Sequence, residues 1–262
     1  MNRDKKHKKY ILNCDEIIGT VLFHHEFYSF NLKNERDIVV WLPPSYYNTV
    51  KRFPVVYIND GQNLFSPHTS FSGYDWKIDE VLTNLISSGL IEEVIVVGIF
   101  NTKDRLDEYN YFTDSGKLYA KFILNELKIY IDETYRTKPD RNNSAIMGSS
   151  MGGLFSFQLI WNYPQFIGKA ACMSNSFWVN EGKIFEEIKN SADVPRNVKI
   201  YLDCGCEEKA LIKDNKKMCS IINSFGDSKE IDIYCYFDKL GKHNEIAWAA
   251  RVHKPFLFLF GK

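Results

Sequence analysis

Apolar residues recur with two different periods along the chain, and these periods predict which segments are strands and which are helices. Short runs rich in β-branched and aromatic residues predict β-strands. These runs are 19–29, 37–42, 55–58, 94–100, 144–147, 170–173, 198–202 and 231–237. Longer segments whose apolar residues lie three or four positions apart predict helices. These segments are 79–88, 117–135, 183–189, 210–225 and a last helix that begins at Glu245.

Strands and helices alternate from residue 55 to the end of the chain, whereas no helix separates the two earlier strands. This alternation predicts an α/β fold with a mostly parallel central sheet and helices on both faces. The two earlier strands are expected to be antiparallel, at one edge of the sheet. No repeat and no linker rich in Pro or Gly divides the chain. We therefore predict a flexible basic tail over 1–15 and one α/β domain over 16–262.

Composition limits the partners and the location of this chain of 262 residues. The 33 basic residues are balanced by 33 acidic ones, so nothing favours nucleic acid or an anionic membrane as a partner. No apolar run is long enough to span a membrane, and no apolar stretch follows the N-terminal charges as in a secretory signal. The six cysteines lack a metal-binding spacing. We predict reduced, mostly buried thiols and a cytoplasmic location.

One G-x-S-x-G pentapeptide, from Gly148 to Gly152, lies where a predicted strand meets an apolar helical segment. A serine in such a turn takes a strained backbone conformation, which is tolerable only with small residues two positions to either side. The alternative is an ordinary Gly/Ser turn that opens a helix. The strand before the motif and the helix after it favour the first interpretation, so Ser150 is predicted to be a nucleophile.

A serine nucleophile needs a base, and the order of residues along the chain limits the candidates. In α/β-hydrolases the nucleophile comes first, the acid second and the histidine last. Four of the six histidines precede Ser150, and His253 lies inside the last predicted helix. His243 lies in a loop just beyond a strand, at the edge where α/β sheets build their sites. We predict that His243 is the base.

The carboxylate that orients the histidine is expected directly after strand 198–202. Asp203 lies at the strand end, Glu208 lies deeper in the following loop, and Glu207 is expected to face solvent. The residues alone leave the choice between Asp203 and Glu208 open.

A developing oxyanion needs two backbone N–H donors. Met151 directly follows the nucleophile, and the loop after strand 55–58 offers Gln62, with Gly61 permitting a tight backbone. For Gly61 and the aspartate before it, the alternative is an ordinary loop turn.

Seven short blocks spread over nearly the whole chain, from about residue 20, share one order with a known family. They are Tyr-Ile-Asn-Asp-Gly-Gln-Asn-Leu-Phe at 57–65, Arg-Leu-Asp-Glu-Tyr at 105–109, Tyr-Arg-Thr at 135–137, Ile-Met-Gly-Ser-Ser-Met-Gly-Gly at 146–153, Ser-Asn-Ser-Phe-Trp at 174–178, Tyr-Leu-Asp-Cys-Gly-Cys-Glu-Glu at 201–208 and His-Asn-Glu-Ile-Ala-Trp at 243–248. On these blocks the chain resembles the Putative esterase (esterase D-like) family of α/β-hydrolases. That family includes feruloyl and acetyl xylan esterases, siderophore esterases and mycolyltransferases.

The resemblance implies an α/β-hydrolase fold and no metal or organic cofactor. Carried over residue by residue, it gives five site residues: nucleophile Ser150, base His243, acid Glu208, and backbone donors Gln62 and Met151. It thereby favours Glu208 over Asp203 as the acid.

Four further residues are candidates for substrate contact: Gly61, Arg105, Tyr109 and Trp178. For Arg105 and Tyr109 the alternative is an internal salt bridge that steadies a loop, and for Trp178 it is packing. Asn175 stands where many relatives have proline, which could alter the pocket wall near Trp178.

These observations predict a serine hydrolase that cleaves small carboxylic esters through an acyl-enzyme. Short-acyl esters, acetylated or feruloylated sugars and siderophore lactones all fit. The close spacing of the motifs predicts an open site without a large lid. One alternative is an acyltransferase that uses the same triad. Another is a noncatalytic binding protein on a hydrolase fold, against which the intact set of Ser150, Glu208 and His243 argues.

Overall fold

The structure, a computed structural model, describes residues 8–11, 17–225 and 231–262. Its strands are β1 (Lys8–Ile11), β2 (Thr20–Ser29), β3 (Asn34–Leu42), β4 (Val55–Asn59), β5 (Ile95–Ile99), β6 (Ser144–Ser149), β7 (Lys169–Met173), β8 (Val198–Gly205) and β9 (Ile231–Asp238). Its helices are α1 (Ile78–Ser87), α2 (Arg105–Glu108), α3 (Asp114–Phe122), α4 (Lys128–Thr134), α5 (Met151–Asn162), α6 (Lys183–Lys189), α7 (Lys209–Asn223), α8 (Glu245–Arg251) and α9 (His253–Phe260).

The described strands form one sheet in the order β1-β2-β3-β5-β4-β6-β7-β8-β9. Pairing is antiparallel from β1 to β3 and between β3 and β5, and it is parallel from β5 across to β9. The predicted α/β fold, a mostly parallel sheet with antiparallel N-terminal edge strands, is therefore confirmed. Parallel pairing places the ends of β4, β6, β7, β8 and β9 at one edge of the sheet, where the loops meet.

The central strands are covered on both faces. Every residue of β4, β5 and β6 is buried, as their near-continuous apolar runs predict for strands inside a parallel sheet. One face packs against α3 to α7, and the other packs against α1, α8 and α9. Among the described residues no helix combines the length and apolar character that a membrane crossing requires.

Two predicted segments differ from the structure. The helix predicted over 117–135 is α3 and α4 joined by a π-helical turn, Ile123–Leu127, which keeps Ile123, Leu124 and Leu127 buried. Of the tail predicted over 1–15, only residues 8–11 are described. They form β1, because their backbone pairs with the otherwise open edge of β2. The rest of the predicted tail lies outside the described residues.

The prediction that the cysteines are all reduced is wrong for one pair. Cys219 of α7 and Cys235 of β9 form a disulfide, whereas Cys172, Cys204 and Cys206 are free. The disulfide joins a helix to the strand beside it. The two cysteines are 16 residues apart in sequence, and this separation alone does not show that they are neighbours in the fold. The predicted cytoplasmic location rested on reduced thiols, and it loses that support.

A buried carboxyl at the start of α1 makes stability depend on pH. Asp79 is fully buried and accepts a hydrogen bond of 2.6 Å from the backbone N–H of Ile18. Burial and the neighbouring carboxyl of Glu80 raise the pKa of Asp79 to about 7. Because the folded state then holds the proton more tightly than the unfolded state, the contribution of Asp79 to stability is fully present below about pH 4 and is lost as pH rises to about 7.

Asp79→Asn should therefore stabilise the protein at pH 8 and leave its stability nearly unchanged at pH 4. The asparagine oxygen can still accept from Ile18, while no charge is buried. The gain is at most about 4 kcal/mol, since each pKa unit corresponds to about 1.4 kcal/mol. Urea denaturation at the two pH values measures it, with Glu207→Gln as an exposed control. A variant less stable than the parent at pH 8 would refute this account.

Candidate active site

The turn between β6 and α5 carries Ser150 in a strained conformation, with φ 57° and ψ −120°. Such values are rare for a residue with a side chain. The motif glycines make the turn possible, because a Cβ on Gly148 would lie 2.6 Å from the backbone of Gly152. The backbone N–H of Ser150 donates to the carbonyl of Met173 at 2.9 Å, which anchors the turn to β7.

The structure brings together the three residues predicted to be catalytic. Nε2 of His243 lies 2.9 Å from Oγ of Ser150, and Nδ1 of His243 lies 2.7 Å from Oε2 of Glu208. An ionised carboxylate can only accept, so Nδ1 carries a proton and donates it to Glu208. In the neutral imidazole Nε2 is then the acceptor, and the hydroxyl of Ser150 donates to it.

Glu208 is held in its ionised form. Its Oε1 accepts from the hydroxyl of Ser174 at 2.7 Å and from the backbone N–H of Gly205 at 2.8 Å. Burial raises the pKa of Glu208, but the hydrogen bonds from His243, Ser174 and Gly205 outweigh it, so that this pKa lies below its ordinary value. A carboxylate in this state can support a cationic imidazole.

Two packed loops bring Glu208 and His243 together. Gly205, at the end of β8, meets Gly241 so closely that a Cβ on Gly205 would lie 2.1 Å from the Gly241 carbonyl oxygen. The N–H of Cys206 also donates to the carbonyl of Asp238 at 2.7 Å. The loop after β8 is thereby joined to the loop after β9, which carries the histidine.

Asp203, the other acid candidate, faces away from this pair. It is fully buried and accepts from Nε of Arg251 at 3.0 Å. The geometry therefore places Glu208, and not Asp203, beside His243. Glu207 is exposed, as expected.

The ring of His243 also packs against an aromatic side chain. Its ring meets the ring of Trp248 edge to face, with centroids 5.0 Å apart. Trp248 packs in turn on the buried Trp76. Asn244 caps α8 by accepting from the N–H of Ala247 at 2.9 Å, which fixes the start of the helix directly after the histidine.

The two predicted oxyanion donors lie at the starts of helical turns. Met151 is the first residue of α5, and Gln62 lies in the 3₁₀ turn Gly61–Asn63. The first N–H groups of a helix have no acceptor within it and are available to a ligand. The side chain of Asn59, at the end of β4, donates to the carbonyl of Gly152 at 3.3 Å and so ties the two turns together.

Arg105 and Tyr109 brace the turn that carries Gln62. Arg105 forms a two-pronged ion pair with Asp60, with both N–O distances at 2.7 Å, which is the salt-bridge alternative of the sequence analysis. The ring of Tyr109 is fully buried, and its hydroxyl lies 3.1 Å from the backbone N–H of Asp60. Tyr109 is thus out of reach of a substrate, because the aromatic core closes over it.

The other predicted substrate contacts differ in exposure. Trp178 is 58% exposed and can meet a ligand. Gly61 is buried, and a Cβ there would lie 2.4 Å from the backbone of Gly98, so its role is to allow a tight turn. Asn175 is also buried, and its amide donates to Asn215 at 2.9 Å.

Several residues near Ser150 were not predicted. Ser176 places its hydroxyl 3.3 Å from that of Ser150, and Ser174 and Arg251 lie behind Glu208. Ser174 and Ser176 lie in the block 174–178, which the chain shares with the family, whereas Arg251 lies in none of the blocks. Within the described ranges, no group of three His, Cys, Asp or Glu side chains is placed to hold a metal ion.

Comparison with known proteins gives one family and several relatives. A family model described as Putative esterase matches residues 29–255. The chain is 29% identical over 185 residues to the uncharacterized protein YbbA of Bacillus subtilis, covering 66% of this chain and 69% of that protein. It is 29% identical over 174 residues to an endo-1,4-beta-xylanase/feruloyl esterase of Xylanibacter ruminicola, covering 64% of this chain but 22% of that protein.

Solved structures resemble the fold along most of the chain. A ferulic acid esterase matches with a TM-score of 0.74 at 22% identity, covering 92% of this chain and 97% of that one. The enterobactin esterase FES of Shigella flexneri matches with a TM-score of 0.74 at 18% identity, covering 98% of this chain and 59% of that one. At these identities the likeness shows a shared fold.

Proposed function

We propose that this chain, which belongs to the Putative esterase family and is a carboxylic ester hydrolase, cleaves its substrate through an acyl-enzyme formed on Ser150. The observation that carries the proposal is the unbroken line of hydrogen bonds from Ser150 through His243 to Glu208, at 2.9 and 2.7 Å. Distances in this range are those at which a base takes a proton from a nucleophile.

In the proposed first step, Nε2 of His243 takes the hydroxyl proton of Ser150 as the oxygen attacks the ester carbonyl. The backbone N–H groups of Met151 and Gln62 stabilise the resulting oxyanion. The imidazolium is stabilised by Glu208 and passes its proton to the leaving alkoxide. Water then repeats the sequence on the acyl-enzyme and releases the acid.

A cleft between α8 and the segment after the oxyanion turn is a candidate binding site for part of a small ester. It has a volume of about 790 Å³, and its lining does not include Ser150, Glu208, His243 or the two oxyanion donors. Its walls carry the apolar side chains of Phe65, Tyr74, Val81, Ile246, Ala249 and Ala250 together with the charged Asp75, Lys77 and Glu80. Clefts of this size and character hold small ligands. We propose short-acyl, acetylated or feruloylated sugar and siderophore-type esters as the substrate class, in keeping with the names of the relatives.

A fluorophosphonate probe tests the nucleophile directly. Such probes phosphonylate a serine that a neighbouring histidine activates. We expect one adduct, on the peptide that contains Ser150, with fragmentation placing the added mass on that residue. Pretreatment with the probe should abolish hydrolysis of p-nitrophenyl acetate in parallel with labelling.

A panel of esters run on the same preparation then ranks the substrate classes, and product analysis with an added alcohol separates hydrolysis from acyl transfer. Absence of an adduct in protein that hydrolyses esters, or an adduct on another residue, would overturn the proposed mechanism.

A further inference from the structure

A buried ion pair lies directly behind Glu208 and has no part in the proposed proton transfer. Arg251, in the last turn of α8, is 1% exposed, and Asp203, at the end of β8, is 0% exposed. Nε and Nη2 of Arg251 donate to the two oxygens of Asp203 at 3.0 and 3.2 Å. Burying both charges is expensive, and an ion pair of this kind adds little net stability. Its position points to another role.

The hydroxyl of Ser174 links this ion pair to the proposed acid. It accepts from Nη2 of Arg251 at 2.7 Å and from Nε1 of Trp248 at 2.9 Å. Both partners are donors only, so the single hydroxyl proton of Ser174 must point to its third neighbour, Oε1 of Glu208, at 2.7 Å. The orientation of this hydroxyl is therefore determined by Arg251 and Trp248.

Ser174 itself is held in place from Asp203. Its backbone has a φ of 45°, in the left-handed region, and its N–H lies 2.9 Å from the backbone carbonyl of Asp203 and 3.2 Å from Oδ1 of the same residue. Asp203 thus binds the guanidinium of Arg251 and the backbone of Ser174, two residues that lie against Glu208.

The charges explain why an acid is needed at this place. Nη2 of Arg251 lies only 3.6 Å from Oε1 of Glu208. Without Asp203 this guanidinium would be an uncompensated buried cation, with Glu208 as the nearest carboxylate. It would then compete with His243 for the negative charge of Glu208 and disfavour the imidazolium. With Asp203 present, the three groups carry a net charge of −1, which the imidazolium can balance.

We infer that Asp203 is a positioning residue for the active site: it engages the charge of Arg251, so that Arg251 orients Ser174 toward Glu208 while the charge of Glu208 stays available to His243. The inference rests on the proposed function. It assigns to Asp203, the other acid candidate of the block 201–208, a role distinct from that of the acid Glu208.

The other titratable groups near the two carboxylates do not take over this role. Cys172 of β7 and Tyr201 and Cys204 of β8 face Asp203 or Glu208, and burial raises the pKa of each, so they are uncharged at neutral pH. Cys206 follows in the same loop and is partly exposed. On α8, the charged group that faces the carboxylates is Arg251 itself.

The pH dependence of kcat/KM for p-nitrophenyl acetate tests the inference, because its acid limb reports the protonation of the base in the free enzyme. Asp203→Asn leaves Arg251 uncompensated, so the midpoint of the acid limb should move to lower pH by about 0.5 to 1 unit. Arg251→Met removes the cation itself, and because burial already raises the pKa of Asp203, this variant should not move the midpoint to lower pH. The double variant Asp203→Asn/Arg251→Met should return it to the parent value.

A merely structural role would lower kcat or the melting temperature without moving the midpoint of Asp203→Asn alone to lower pH. If Asp203→Asn fails to fold, a midpoint of Arg251→Met below that of the parent still overturns the inference. An unmoved midpoint in folded Asp203→Asn, or a double variant that keeps the shift of Asp203→Asn, overturns the inference. A parent protein that shows no fluorophosphonate adduct on Ser150 would instead contradict the proposed function, so the two failures are distinguishable.

Discussion

Replacing Ser150 with alanine is expected to lower kcat for ester hydrolysis by about 10³-fold or more, with no change in fold. The alanine removes the hydroxyl that His243 contacts, and members of a triad act as a unit, so that what is left is the contribution of the oxyanion donors and of binding. Steady-state hydrolysis of p-nitrophenyl acetate by the purified variant measures the loss, and circular dichroism checks the fold.

Two neighbouring variants sharpen this test. Ser149→Ala removes the adjacent hydroxyl and should keep the activity. Ser150→Gly should be as inactive as Ser150→Ala but more stable by about 1 kcal/mol, because only glycine takes a positive φ without strain. Full activity in Ser150→Ala would exclude this serine as the nucleophile.

The central strands and the turn at Ser150 could be predicted from the sequence. The runs that became β4, β5 and β6 are apolar at nearly every position, which is what burial on both faces of a parallel sheet requires. The glycines of the motif indicate a close backbone approach, because a Cβ on Gly148 would lie 2.6 Å from the backbone of Gly152. Both signals are local, and local patterns can be read along a single chain.

The choice between Asp203 and Glu208 depends on contacts that are not local. Strand β8 extends to Gly205, three residues beyond its predicted end, and the turn that follows is shaped by Gly241 of another loop. No pattern within the 201–208 block records that contact. The family resemblance carried the choice of Glu208 instead, and the distances place that residue beside His243.

The burial of Tyr109 and the ion pair of Arg251 with Asp203 could not be predicted from the sequence either, because both depend on tertiary contacts. Tyr109 belongs to a block around the site, yet the aromatic rings of Tyr119 and Phe155, 10 and 46 positions further along the chain, pack against it. Arg251 bonds to residues 48 and 77 positions earlier. A sequence motif shows that a residue is near the site, whereas its distance from the reacting atoms depends on tertiary packing.

Glu208→Gln is expected to lower kcat by about 10³- to 10⁴-fold, because it changes the tautomer of His243 while the fold stays intact. In the parent, Oε1 of Glu208 accepts from Ser174 and from the backbone N–H of Gly205. The oxygen of a glutamine must take this position, so its NH₂ group faces Nδ1 of His243. That nitrogen then has to accept, and the proton moves to Nε2, which can no longer take a proton from Ser150.

Glu207→Gln is the matched control for this prediction, because it makes the same chemical change on an exposed neighbour and should leave kcat within about twofold. Rates on p-nitrophenyl acetate at pH 7 and 9, with melting temperatures, complete the comparison. A Glu208→Gln variant that is folded and fully active would show that the histidine works without this carboxylate, whereas a large loss in kcat with an unchanged melting temperature ties Glu208 to the base and not to the fold.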